Sequence, residues 1–159
     1  MRYYVSYLIA ILIVAVDQLS KWLAESYLLA YQAVPVMPSF NWNLMYNEGA
    51  AFSFLSQAGG WQRWFLSGLS LIVSLIIVVW IYRLDRKEKG LATALSLILG
   101  GAVGNLIDRV AQGRVTDFIQ WYYADYYWPT FNVADSAISV GAVILLLVSL
   151  FNKAEKETH

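Results

Sequence analysis

The chain has 159 residues, of which 59% are apolar against roughly 45–50% in a typical globular protein, so most of it is expected to lie in lipid. Its formal net charge is zero and it has no basic stripe, which argues against nucleic acid as a partner. The absence of cysteine excludes a disulfide and a thiol nucleophile, and a single histidine, His159, argues against a Ser-His triad or a His-ligated metal centre.

Four apolar segments approach the roughly 20 residues that a helix needs to cross about 30 Å of hydrocarbon. They are residues 5–24, 64–82, 91–109 and 134–151. We therefore expect one membrane-embedded domain covering residues 1–159, with two substantial loops on one face. A cleaved signal peptide is the alternative for the first segment. However, Asp17, Gln18 and Lys21 interrupt its apolar run, and no small-residue cleavage site follows directly.

Asp17 and Lys21 place two charges inside the first segment, near its outward end. A charge near the centre of a bilayer costs at least about 2.5–3.5 kcal/mol, so such residues need partners. Because they lie four positions apart, they share one face of a helix and can pair with each other. We interpret them as a structural ion pair, with direct participation in catalysis as the alternative.

Loop one, residues 25–63, alternates apolar and polar residues with a period of two across residues 34–38 and 40–46. This pattern is typical of short strands, which we expect to lie on the membrane surface as a small β-rich cradle. The small residues that follow Asn47, beginning with Gly49, either allow another backbone to approach closely or form the turn that ends a hairpin.

Basic residues predict the orientation of the chain. They cluster in the link between the second and third segments and near the C-terminal end, which the positive-inside rule assigns to the cytoplasm. Both termini are then cytoplasmic, and loop one and loop three, residues 110–133, face outward. The basic residues concerned are Arg83, Arg86, Lys87, Lys89, Lys153 and Lys156.

The third segment carries Asn105, Asp108 and Arg109 on roughly one side of its outward end. Asp108 and Arg109 either neutralise the helix end or belong to a site. Gly100 and Gly104 form a GxxxG pattern, which favours close packing of this helix against another. The charges of the first and third segments thus lie toward the same face of the membrane.

Loop three is rich in tryptophan and tyrosine, which settle at the depth of the lipid headgroups. We assign most of these rings to an aromatic belt, and this places Asp117 and Asp135 near the same depth. Two carboxylates within reach of one water cannot both ionise cheaply, so one keeps a proton and the pair can act as base and acid. The spacing of the residues alone does not exclude Asp125 as a member of the pair.

Five blocks of the sequence resemble those of the lipoprotein signal peptidases, also called signal peptidase II, of the bacterial plasma membrane. They cover all four segments and both outer loops, and their order and spacing together are specific. Glu48 stands where this family often has a smaller residue. The blocks are Asp17-Gln18-Leu19-Ser20-Lys21, Asn47-Glu48-Gly49-Ala50-Ala51-Phe52-Ser53, Gly104-Asn105-Leu106-Ile107-Asp108-Arg109, Gly113-Arg114-Val115-Thr116-Asp117-Phe118-Ile119 and Phe131-Asn132-Val133-Ala134-Asp135-Ser136.

The resemblance implies an all-α membrane protein with four transmembrane helices and an outward-facing β-rich cradle in loop one. It implies an aspartic endopeptidase that uses Asp117 and Asp135 rather than Asp125. Its substrate would be a prolipoprotein, cut on the amino side of a cysteine that already carries diacylglycerol. Seven further residues would line the site or support it: Asn47, Gly49, Asn105, Arg109, Asn132, Asp17 and Lys21.

The same resemblance predicts a monomer in the bacterial inner membrane, with its active site at the outer face, in contact with membrane lipid and inhibited by globomycin-type antibiotics. We expect no metal and no cofactor. Two other classes of protein are considered. A small four-helix proton-coupled transporter would place its carboxylates near mid-span, facing an aqueous path. A non-catalytic anchoring subunit would not need two matched acids.

Overall fold

The computed structural model describes residues 3–49 and 60–157. Four helices in these ranges are long and apolar enough to cross a membrane, with the last span ending at Phe151, and this confirms the four predicted segments. Each helix begins and ends within a few residues of its prediction, apart from the C-terminal extension of the fourth. The helices are α1 (Tyr3–Tyr27), α2 (Trp61–Arg83), α3 (Lys89–Gln112) and α4 (Val133–Glu157).

Helix α3 lies at the centre of the bundle and contacts the other three helices. Small residues make this possible. A side-chain carbon added at Gly100 would lie 2.7 Å from Ile13 Cβ, and one added at Gly104 would lie 2.6 Å from a carboxylate oxygen of Asp17. Both contacts are closer than real side chains allow, so the GxxxG pattern brings α3 against α1, as predicted.

Loop one and loop three form an antiparallel sheet of four strands in the described part of the chain. Its order is β1 (Ala33–Met37), β2 (Phe40–Asn47), β3 (Val115–Tyr123) and β4 (Tyr126–Tyr127). The two strands predicted in loop one are present. Half of the sheet, however, comes from loop three, where only an aromatic belt was expected. Ala50, Ala51, Phe52 and Ser53 of the second sequence block lie outside the described residues.

Two local features bring the ends of α3 and α4 to the sheet. Gly113 has a φ of 79°, which favours glycine, and it ends α3 while its N–H donates to the carbonyl of Arg109. The chain then enters β3 within two residues. Strand β3 pairs with β2 so that Asp117 lies opposite Met45, and it returns through β4 to Asn132, which precedes α4.

Candidate active site

Asp117 lies near the start of β3, and its side chain is 2% exposed. The side-chain amide of Asn132 donates to its Oδ1 at 2.7 Å, and that of Asn47, at the end of β2, donates to its Oδ2 at 3.3 Å. The pairing of β2 with β3 places Asn47 opposite Val115, two residues before Asp117. Residues on one strand face recur every second position, so Asn47 can reach the carboxylate.

Asp135 lies in the first turn of α4 and forms a capping box with Asn132. The side-chain oxygen of Asn132 accepts the N–H of Asp135 at 2.9 Å, and the Asp135 carboxylate accepts the N–H of Asn132 at 3.2 Å. Asn105 of α3 donates to the other carboxylate oxygen of Asp135 at 2.8 Å. Asn132 therefore contacts both acids and holds their carboxylates beside each other.

The pKa of Asp117 is raised from its ordinary value near 3.8 to about 7. Burial is the largest cause, because it penalises the charged form, and the negative charge of Asp135 adds to it. Hydrogen bonds from Asn47 and Asn132 and the positive charge of Lys21 act in the opposite direction. Near neutral pH, Asp117 can thus hold a proton or release it.

A second group of charges lies next to this pair, in the C-terminal halves of α1 and α3. The ammonium of Lys21 is 2.8 Å from Asp17 Oδ2 and 2.7 Å from Asp108 Oδ2, and all three side chains are buried. The predicted ion pair of Asp17 and Lys21 is present. Asp108, considered in the sequence as a charge at a helix end, is the second partner of Lys21.

This ion cluster is tied to both α4 and β3. Asp17 accepts the N–H of Ala134 at 2.8 Å, and Asp108 accepts the N–H of Thr116 at 3.2 Å. Lys21 also donates to Asn105 Oδ1 at 3.1 Å. The cluster therefore fixes the start of α4 and the beginning of β3, the two elements that carry Asp135 and Asp117.

Arg109 holds the segment after β2 close to the pair of acids. Its guanidinium donates to the carbonyl of Gly49 at 3.3 Å and to that of Asn105 at 3.5 Å, and Gly49 N–H donates to Asn47 Oδ1 at 3.0 Å. The last contact is an Asx-type turn, so the turn interpretation of this segment describes residues 47–49. The guanidinium is only partly buried, so its positive charge remains available beside the carboxylates.

All nine residues predicted for the site thus lie within one network where the helix bundle meets the sheet. Asp125 does not, because it is exposed in the turn between β3 and β4. Gln18 has a role that the sequence did not reveal: its amide donates to Asp108 at 2.8 Å and to Asp17 at 3.3 Å. The spacing Asn132-x-x-Asp135 could have identified the capping box in advance.

Two carboxylates that both accept hydrogen bonds from Asn132, one from its side chain and one from its backbone, form an arrangement suited to general acid and base catalysis on a water molecule, since the pKa of Asp117 is about 7. The pair lies where β3 and α4 meet, at the end of the spans and not at their middle. This position fits chemistry at the lipid–water boundary and not a proton path through mid-membrane.

Comparisons with known proteins agree with this geometry. A family model described as "Signal peptidase (SPase) II" matches residues 9–151. A "Lipoprotein signal peptidase" of Acinetobacter baumannii is 47% identical over 148 residues, covering 93% of this chain and 84% of that protein. One of Pseudomonas syringae pv. tomato is 51% identical over 152 residues, covering 94% and 88%. A solved bacterial membrane enzyme, 30% identical, superposes with a TM-score of 0.86 over 96% of this chain and 91% of its own.

Proposed function

Because the chain belongs to the signal peptidase II family, we propose that it is an aspartic endopeptidase whose catalytic pair is Asp117 and Asp135. Family membership makes it a bacterial membrane peptidase and favours this function over a proton-coupled transporter. The observation that supports the aspartic mechanism most directly is the bridge through Asn132, which keeps the two carboxylates adjacent. The pKa of about 7 at Asp117 lets the pair share one proton near neutral pH.

In the first step, the ionised aspartate removes a proton from a water molecule held between the carboxylates. The water oxygen then bonds to the carbonyl carbon of the peptide, while the protonated aspartate gives its proton to the carbonyl oxygen. The product is a neutral tetrahedral diol. The pair still holds one proton, now on the other carboxylate.

In the second step, that proton moves to the nitrogen of the scissile bond. The carboxylate that gave its proton to the carbonyl oxygen takes a proton back from the diol. The carbon–nitrogen bond breaks and releases an amine and a carboxylic acid. Asn132 contacts both acids, so it can keep their spacing unchanged while the proton changes sides. Asn47 donates to the Asp117 oxygen that Asn132 does not contact, and Asn105 does the same at Asp135.

We propose that the substrate is a prolipoprotein, cut on the amino side of a cysteine that carries diacylglycerol. Two relatives are named lipoprotein signal peptidases. A lipid anchor also holds its peptide bond near the membrane surface, and the two acids lie on β3 and at the start of α4, at one end of the membrane spans. Arg109 and Gly49 lie beside the acids and are the groups we assign to holding the peptide backbone.

We further propose that residues 1–159 form one peptidase domain in the bacterial inner membrane, with both termini cytoplasmic and the active site at the outer face. The basic link between α2 and α3 supports this orientation. Asp17, Lys21, Asn105 and Asn132 support the catalytic pair, and the chain acts as a monomer. Globomycin-type antibiotics would compete with the substrate for this site.

The test uses purified protein in detergent with a diacylglyceryl-modified prolipoprotein, and cleavage is followed by the release of the signal peptide. Asp117→Asn and Asp135→Asn should each reduce the rate by about 10²–10⁴-fold, the contribution typical of a general acid or base. Asp125→Asn is the control, because its side chain is exposed away from the network, and its rate should match the wild type. Full activity in Asp117→Asn or in Asp135→Asn would exclude the aspartic mechanism. A folded wild type that cleaves nothing would exclude the peptidase itself.

A further inference from the structure

We propose that Lys21 is a positioning residue for the peptidase reaction, because its ammonium fixes the orientation of the Asn105 side-chain amide beside Asp135. This inference rests on the proposed function. It assigns to Lys21 a role in the reaction that an ion pair within the scaffold would not have.

The two ends of an amide are chemically different, and Lys21 distinguishes them. An ammonium group can only donate hydrogen bonds, so the Asn105 atom that faces it at 3.1 Å must be the oxygen. The NH₂ group then points the other way, toward Asp135 Oδ1 at 2.8 Å. In the flipped amide, the oxygen would face the Asp135 carboxylate, which cannot donate to it, and the NH₂ group would face the Lys21 ammonium, which cannot accept from it.

Asn132 is the only other described donor to the Asn105 oxygen, and it is a weaker one. Its side-chain nitrogen lies 3.2 Å from Asn105 Oδ1, but it has two hydrogens and three acceptors. It is closer to Asp117 Oδ1, at 2.7 Å, and it also lies 3.3 Å from the carbonyl of Thr116. Lys21 therefore provides the stronger constraint on Asn105.

Lys21 can serve this purpose because it cannot move away. Its side chain is about one-twentieth exposed and is held between Asp17 and Asp108, and the Gln18 amide links these two carboxylates. Asp117, the other catalytic acid, also faces an asparagine whose orientation is fixed. The amide of Asn132 faces Asp117 with its NH₂ group because its oxygen is bound to the N–H of Asp135. Each acid thus meets an asparagine whose opposite end is held by a group that can only donate.

The experiment removes Lys21 without leaving two unpaired acids. Lys21→Met/Asp108→Asn keeps the net charge of the cluster at minus one, and Asp108→Asn alone is the matched control because it retains the contact of Lys21 with Asn105. Both are compared with Asn105→Ala/Asp108→Asn and with the triple variant. For each, kcat and KM are measured on a diacylglyceryl-modified prolipoprotein, and thermal unfolding establishes that the protein is folded.

We expect kcat of Lys21→Met/Asp108→Asn to fall by about 10–100-fold relative to Asp108→Asn, with KM nearly unchanged. Losses of this size are typical when a residue that orients a ligand in a metal site is removed. The triple variant should be no slower than Asn105→Ala/Asp108→Asn, because both changes remove the same interaction. Losses that multiply, or an unchanged kcat, would overturn the positioning role while the wild type remains active. An inactive wild type would instead overturn the proposed function, and this inference with it.

Discussion

Two pairs of carboxylates lie side by side where the helix bundle meets the sheet, and they have different surroundings. Asp17 and Asp108 both bind the ammonium of Lys21, at 2.8 and 2.7 Å. Asp117 and Asp135 instead accept hydrogen bonds from amide groups, which carry no net charge. Asn105 contacts one member of each group, Lys21 and Asp135, so the two pairs belong to one network.

The difference lies in the charge of the groups that surround the two acids of each pair. A cation between two carboxylates offsets their repulsion and holds both in place. Amide donors hold carboxylates in place but leave the repulsion between them, so one acid retains a proton at higher pH. For Asp117, burial and the charge of Asp135 raise the pKa to about 7. The first pair binds one lysine, and the second pair binds three asparagines.

The largest effect should come from removing that cation. Lys21→Met leaves Asp17 and Asp108 buried without compensation, and breaking a buried ion pair in this way costs about 3–5 kcal/mol of unfolding free energy. Denaturant unfolding in detergent measures the change. Lys21→Met/Asp108→Asn should recover part of the loss, because only one uncompensated acid remains. Equal stability of Lys21→Met and the wild type would mean that the cation does not stabilise the first pair.

The second prediction concerns pH and applies to the proposed catalytic pair. Asp117 has a pKa of about 7 in the folded protein and near 3.8 when exposed, so between these values the folded state holds a proton that the unfolded state lacks. The free energy of unfolding should therefore fall as pH rises from about 4 to 7, by up to about 1.4 kcal/mol per pH unit, and level off above 7. Unfolding measured across this range tests the slope. Asp117→Asn should flatten it, and an equal slope in that variant would assign the proton elsewhere.

A third prediction separates the two tasks of Asn132. Asn132→Ala removes the cap of α4 and should cost about 0.5–2 kcal/mol of stability, besides reducing cleavage. Asn132→Ser restores a capping oxygen but not the NH₂ group that faces Asp117. Its stability should therefore return toward that of the wild type while its cleavage rate stays low. Recovery of both properties in Asn132→Ser would show that the cap alone matters.

Local patterns predicted the helices and the ion pair of Asp17 with Lys21 well. Four long apolar segments are sufficient to place α1 to α4, and the spacing of four residues between Asp17 and Lys21 is sufficient to pair them. The period of two in loop one predicted β1 and β2. In each case the information lies within one element, so no knowledge of distant contacts is needed.

Long-range contacts limited the rest. Strands β3 and β4 were missed because aromatic residues follow one another in loop three, as in Trp121-Tyr122-Tyr123 of β3, and therefore lie on both faces, so no alternation is visible. Asp108 and Lys21 meet only after α3 packs on α1. Spacing could not separate Asp135 from Asp125 as the partner of Asp117. That choice depends on Asn132, which brings the start of α4 to β3.

The smallest effect is expected at Thr116, whose backbone lies between the two pairs. Its N–H donates to Asp108 and its carbonyl accepts from Asn132, while its hydroxyl donates to Glu25 at 2.7 Å, away from both pairs. Thr116→Val keeps the two backbone contacts and removes only the hydroxyl bond, so it should cost about 1 kcal/mol of stability and leave the cleavage rate nearly unchanged. Glu25→Gln, which keeps an acceptor for the hydroxyl, is the matched control and should be milder. A large loss of cleavage in Thr116→Val would show that the hydroxyl bond to Glu25, and not only the backbone of Thr116, is needed for the reaction.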